Sequence, residues 1–417
     1  MRRAWVLLLC LLVATWPGLA LAAPSLQVAT GLFSMPPEVG ATIPGVLAET
    51  TAPNQEPAPA TDLASHAAAA VLMDAASGQV LWAKNPNQRR PAASVTKLMT
   101  MAVVLDAIQS GRIKWSDLVS ASDEAVRTGG AQIWLELGEN MTVKDLFYAV
   151  AVQSANDAAV ALGQYVGGTM AHFLGLMNAK AKALGMRDTK YTDASGLEDT
   201  VQYTSAYDVA LLSRYLVTMQ PEVLKYTSTW EHRLRGNKLW LVNRNRLVRR
   251  LSGVDGLKTG FTTRAGYCLA ATARRGATRL IAVVLGDPTS TARFDEASTM
   301  LQWGFSHYTT VPVASTAKPV AHLPVDGGRV PRVAVVAAQP FGVTVPRQRT
   351  GAVQTAVILP KLLAAPLRQG QPVGEIRVRV DGQSVAVVPL VVAQAVPRIG
   401  ILRLWLRLWK GLWPWLR

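Results

Sequence analysis

The 417-residue sequence predicts an α+β fold followed by a small all-β domain. Three observations carry that expectation. Short apolar strands stand near residues 67–84 and again near 267–285. The stretch between them runs with helical period, and after about Thr309 the composition turns to Val, Pro and Gly in alternating runs. Strands from both ends of the first segment would gather into one sheet with helices clustered on it.

Taken in order, Met1-Arg2-Arg3, an apolar run from Ala4 to Ala14, and Ala20-Leu21-Ala22 read as an export leader over 1–22, cleaved after Ala22. Residues 23–64 are rich in Pro, Ala and Thr and read as a flexible extension. The first folded domain is expected over 65–308. It opens with a strand at 67–74, a turn at Ser77-Gly78 and a strand at 79–84. Helices are expected at 98–108, 143–152, 157–165, 172–184, 206–216 and 291–303, and a second hairpin turns at Arg275-Gly276. A β-sandwich over 309–395 follows, with Asp381-Gly382 as its clearest hairpin turn. Residues 396–417 read as an amphipathic helix lying in a membrane interface. Arg403, Arg407, Lys410 and Arg417 fall on one stripe, while Leu and Trp fill the rest. Charges inside this stretch disfavour a spanning helix.

The net charge is +16. An exported chain without a nucleic-acid motif argues against nucleic acid as partner. Between Leu224 and Arg275 twelve Lys/Arg face only Glu231 and Asp255, which suits an anionic substrate, with a solvated basic face as the plainer alternative. Cys268 would be the sole cysteine after export and reads as core, so no internal disulfide is expected. The five histidines form no metal-ligand spacing, and no cofactor or metal is expected.

Chemistry concentrates in three stretches. Pro91-Ala-Ala-Ser94-Val-Thr-Lys97 puts a serine three residues before a lysine at the start of an apolar helix, so their side chains share a face. A lysine made neutral by burial or a nearby cation can take the serine proton. Alone, the pattern is as easily a solvated pair. Ser154-Ala155-Asn156 and Lys258-Thr259-Gly260 follow at wide spacing. The trio resembles the S-x-x-K, S-D-N and K-T-G motifs of penicillin-binding proteins and class A β-lactamases. With 72–81, 153–157, Asn243-Arg244-Asn245 and 254–260, the chain resembles the serine-type D-alanyl-D-alanine carboxypeptidases of the peptidase S11 family. The resemblance runs from about Ala67 to Tyr308 and continues through the β-domain and tail.

That resemblance implies a penicillin-binding-protein/β-lactamase-like transpeptidase domain, a sheet with a helical cluster. It also implies roles: Ser94 as nucleophile, Lys97 as its base, and Ser154 as proton relay to the leaving amine. Asn156 would hold the substrate amide and pin Lys97, and Lys258 would lower the Lys97 pKa by repulsion. Lys258, Thr259 and Arg244 would receive the terminal carboxylate. The N–H groups of Ser94 and Phe261 would form an oxyanion hole, and Gly260 would let its strand approach substrate. The implied partners are peptidoglycan stem peptides, β-lactam antibiotics and the inner-membrane lipid surface, in the periplasm. A D,D-endopeptidase and a catalytically silent wall-binding scaffold remain alternatives. A β-lactamase is disfavoured, because no Glu-x-x-x-Asn stretch follows Ser154 to supply a separate deacylating base. Val201 stands where the family commonly has glycine, which marks a differently shaped loop.

Overall fold

The computed structural model describes residues 61–197 and 201–400. The expected leader, most of the extension and nearly all of the terminal helix lie outside the described residues.

Five antiparallel strands form the central sheet: β1 (Ala69–Asp74), β2 (Val80–Lys84), β3 (Val254–Thr262), β4 (Gly266–Arg275) and β5 (Thr278–Asp287), in the order β2-β1-β5-β4-β3. The first and last thirds of the domain thus meet in one sheet, with Val71 opposite Val283 and Thr259 opposite Leu269. Both faces are covered, which is why β1 is buried along its whole length. The period-2 rule sorts its side chains: Val71 and Met73 enter one core, and Ala70 and Leu72 enter the other.

The first core holds α1 (Lys97–Gln109), α2 (Val143–Tyr148), α3 (Asn156–Gly167), α4 (Met170–Ala183) and α5 (Ala206–Met219). Helix α1 is apolar on nearly every side, as a helix surrounded by others must be, and buries Leu98, Met101 and Leu105. The second core is the opposite face, closed by α6 (Ser290–His307) through Phe294, Met300 and Leu301.

Tyr308 starts the all-β domain immediately after α6. Its strands are β6 (Tyr308–Ala314), β7 (Ala321–Asp326), β8 (Arg332–Ala337), β9 (Phe341–Pro346), β10 (Val353–Ile358), β11 (Leu363–Ala364), β12 (Pro372–Val380) and β13 (Gln383–Val392). The pair β6-β9 and a six-stranded sheet, β10-β12-β13-β8-β7-β11, share a core of Val335, Val345, Val378 and Leu390. Asp381 and Gly382 have φ of 50° and 78°, the double positive φ of a tight hairpin turn. Arg347 Nε donates to Phe305 O at 2.9 Å, and Thr310 N to Thr278 Oγ1 at 2.8 Å, which ties this domain to the first.

Four details depart from expectation. Leu63 and Ala64 belong to the second core, because the apolar surface above α6 needs cover that the composition of the extension concealed. The helix expected over 143–152 ends at Tyr148 and widens into a π turn, Ala149–Gln153, that delivers Ser154. The terminal helix does not begin at 396. Val396 is buried and bridges Leu367, Arg398 bridges Gly328, and Ile399 N donates to Gly327 O at 2.8 Å, so backbone pairing keeps 396–399 extended. Two small hairpins, Leu118–Ser120 with Asn140–Thr142 and Glu231–Leu234 with Leu239–Val242, were not legible, being too short to show a period.

Candidate active site

Ala93–Thr96 forms a 3-10 turn that runs into α1, so Ser94 sits just before the helix and Lys97 on its first turn. Lys97 Nζ lies 2.9 Å from Ser94 Oγ, 2.5 Å from Asn156 Oδ1 and 2.6 Å from Ser195 O, and Lys97 is fully buried. The three partners define the chemistry. As an ammonium, Lys97 fills all three acceptors. As a neutral amine, it gives its two N–H groups to Asn156 and Ser195 and turns its lone pair to the Ser94 hydroxyl.

Burial pushes the Lys97 pKa down to about 7, against the attraction of Asp193 and Asp157, so about half of the molecules carry the neutral amine at that pH. Burial, in place of the repulsion expected from Lys258, is the cause. A lysine sealed among apolar helices loses more by desolvation than a second cation adds. Repulsion acts on Lys258, whose pKa falls well below the ordinary value through burial first, then Lys97, Arg293 and Arg244.

The π turn places Ser154 in the left-handed region, φ 68°, and buries it. Asn156 opens α3. Its Nδ2 donates to Gly129 O at 2.6 Å, and its backbone N donates to Ala131 O at 2.6 Å. Asp157, one residue on, accepts from the backbone N of Ile133 and Leu135. The 129–135 loop is thereby fastened to the residue that fastens Lys97.

On the other side lies edge strand β3. Lys258 and Thr259 are buried, and Lys258 Nζ donates to Thr259 O at 3.1 Å. A Cβ on Gly260 would stand 2.6 Å from Ala92 O and 3.1 Å from Ser94 N. The glycine therefore lets the strand pack against the turn that carries Ser94. Phe261 is 52% exposed and stacks on Tyr267 at 4.3 Å. Arg244 is exposed between two buried asparagines that sew its loop down. Asn243 Nδ2 donates to Thr227 O and Thr229 O, and Asn245 Nδ2 donates to Gly256 O on β3. Arg244 N donates to Val152 O at 3.3 Å, beside Ser154, so this cation belongs to both walls of the cleft.

Lys97 is in direct contact with both Ser94 and Asn156, and Gly260 packs on the turn that carries Ser94. Arg244 and Lys97 reach Lys258 through charge, both lowering its pKa after burial has done so. Sequence reasoning missed Ser195, whose carbonyl is the third partner of Lys97. Asp193 Oδ1 accepts from Ser195 Oγ and Gly196 N, a local turn that aims this carbonyl. Gly196 has φ +76°, and a Cβ there would lie 1.9 Å from Ala93 O. The Asp-Ala-Ser-Gly run was the available signal. Gln202 also escaped notice. Its Nε2 donates to Thr96 Oγ1 at 3.0 Å, and its Oε1 accepts from Thr192 N, so it links this loop to the Ser94 turn.

Comparison with known proteins follows the same division. Residues 53–289 match the peptidase S11 D-alanyl-D-alanine carboxypeptidase family, and residues 308–398 match the C-terminal domain of penicillin-binding protein 5. The D-alanyl-D-alanine carboxypeptidase DacF of Bacillus subtilis is 36% identical over 366 residues, covering 86% of this chain and 94% of the relative. The crystal structure of penicillin-binding protein 5 from Haemophilus influenzae superposes with a TM-score of 0.65 at 35% identity, over 80% of this chain and 98% of that one. Penicillin-binding protein D2 of Listeria monocytogenes in its ampicillin-bound form gives 0.53 at 35% identity, over 58% of this chain and 97% of that one. The chain belongs to the peptidase S11 family of D-alanyl-D-alanine carboxypeptidases.

Proposed function

We propose that this protein is a serine D-Ala-D-Ala carboxypeptidase that removes the terminal D-alanine from peptidoglycan stem pentapeptides. The observation that carries the reading is the Ser94 Oγ to Lys97 Nζ contact of 2.9 Å, in a pocket whose two other acceptors aim the amine at the hydroxyl. Neutral Lys97 takes the Ser94 proton as Oγ attacks the carbonyl between the two D-alanines. The oxyanion forms opposite the N–H groups of Ser94 and Phe261, each worth roughly 3 kcal/mol by comparison with other acyl-transfer enzymes. The C–N bond then breaks, and Ser154 passes a proton to the departing amine. Water, activated by the same lysine, hydrolyses the ester on Ser94 and frees the enzyme. Lys258, Thr259 and Arg244 hold the terminal carboxylate, the use to which the buried and flanking cations are put.

Penicillins present an acyl donor of similar shape, and the ampicillin-bound Listeria relative supports the same acylation here. The reading also places the enzyme in the periplasm, exported by residues 1–22, with a catalytic domain over 65–308 and the terminal segment lying on the inner-membrane surface. No helix of the described residues is long and apolar enough to cross a membrane. Labelling with a fluorescent penicillin followed by peptide mapping tests the chemistry: label on the Ser94 peptide supports it. Label that persists in Ser94→Ala, mapped elsewhere, contradicts it.

A further inference from the structure

We propose that Arg293, on the helix behind the sheet, is a positioning residue for acylation: it sets the direction and polarity of the Phe261 N–H that meets the oxyanion. The inference rests on Ser94 being the acylated nucleophile.

The geometry runs through one peptide unit. Arg293 Nη1 donates to Gly260 O at 2.9 Å and lies 3.4 Å from Cys268 O, the residue opposite Gly260 in the β3-β4 register. The 260–261 peptide is not among the cis bonds, so its C=O and its N–H point in opposite directions. Fixing the Gly260 carbonyl toward Arg293 therefore turns the Phe261 N–H toward the opposite side of the strand. A cationic donor on a carbonyl also draws electron density from its amide nitrogen and strengthens the N–H as a donor. Gly260 itself packs on Ser94 N, the other proposed donor, so both N–H groups are referred to one point.

The side chain of Phe261 is held by the same cation. Arg293 lies under the Tyr267 ring at 5.1 Å, and Tyr267 stacks on Phe261 at 4.3 Å. Arg293 is only 8% exposed, and its Nε lacks a hydrogen-bond partner among the described residues. A buried guanidinium with an unmatched donor is costly to keep for packing alone. Helix α6 supplies the lever. Arg293 stands in its first turn, with Nη2 3.3 Å from Ser290 Oγ and the Phe294 ring 4.8 Å away.

The test compares wild type, Arg293→Met and Arg293→Lys. Each is assayed by stopped-flow acylation with a penicillin, and with ester substrates whose C-terminal carboxylate is free or amidated and whose scissile carbonyl carries oxygen or sulfur. Wild type that fails to acylate overturns the underlying carboxypeptidase reading. With wild type active, Arg293→Met is expected to acylate about 10–100-fold more slowly, short of the roughly 10²–10³ lost when an oxyanion donor is removed outright. The loss should be equal for acid and amide substrates. The preference for the oxygen ester over the thionoester, which reports the oxyanion donors, should shrink by a similar factor, and Arg293→Lys should recover part of it. Unchanged acylation overturns the proposal. So does a loss confined to free-carboxylate substrates, or a loss that leaves the oxygen-to-sulfur preference intact. If Arg293→Met does not fold, the same preference measured in Arg293→Lys decides.

Discussion

Asn156 Oδ1 accepts from Lys97 Nζ at 2.5 Å, across 59 residues of sequence, and this contact joins the two motifs into one proton-transfer device. An amide at that position accepts from the lysine without charging it. That neutrality, with burial, leaves Lys97 near its midpoint at neutral pH.

A pH dependence follows with a definite sign. Burial lowers the Lys97 pKa to about 7, and the base works only when neutral, so acylation should fall as pH drops through 7 and level off above it. Asn156→Asp would set a carboxylate where the amide oxygen now stands and hold Lys97 protonated. The midpoint of the acylation profile should rise by about 1–3 pH units. Stopped-flow acylation between pH 5 and pH 10 checks both.

Lys258→Ala should weaken substrates with a free terminal carboxylate more than amidated analogues. One charge-assisted contact contributes roughly 1.5–3 kcal/mol, or about 10–150-fold in kcat/KM. Equal losses on both substrates would assign Lys258 to some task other than carboxylate binding.

Gly260→Ala tests the packing of β3 on the nucleophile turn. Its Cβ would stand 2.6 Å from Ala92 O, a backbone atom that cannot swing aside. Acylation should drop by at least about tenfold while the melting temperature falls only by what about 1–3 kcal/mol of overpacking implies. Steady penicillin acylation in a folded Gly260→Ala protein would mean that the strand has room to spare.

The tail can be removed without touching the β-domain if the cut respects its pairing. Arg398 bridges Gly328, and Ile399 N donates to Gly327 O, so the deletion should begin at residue 401. The sequence of 401–417, with Trp405, Trp409 and Trp413 recurring every four residues, supports membrane-surface attachment. Deletion should release a soluble enzyme with unchanged activity on small peptides, as read by membrane fractionation. Continued sedimentation with membranes would place the attachment elsewhere.

The main strands and the long helices were readable from the length of their apolar runs between turn residues, even in β1 and α1, where burial on every side leaves no period. The motif residues were readable because their chemistry is unusual at their spacing. Apart from the Gln202 side chain, what escaped acts through the backbone. Ser195 contributes a carbonyl, Gly129 another, and Arg293 works on the Gly260 carbonyl, and a main-chain oxygen has no letter in the sequence. Which of the two, burial or a nearby cation, shifts Lys97 stayed open for a related reason. Burial belongs to the packing of several helices, whereas the neighbouring lysine could be seen in the chain.

The most direct test of the central claim is the mass spectrum of a synthetic muropeptide pentapeptide after incubation with the purified protein, with Ser94→Ala as control. Loss of a single alanine by wild type alone is the predicted result. An intact pentapeptide, or loss of alanine that persists in Ser94→Ala, would contradict it.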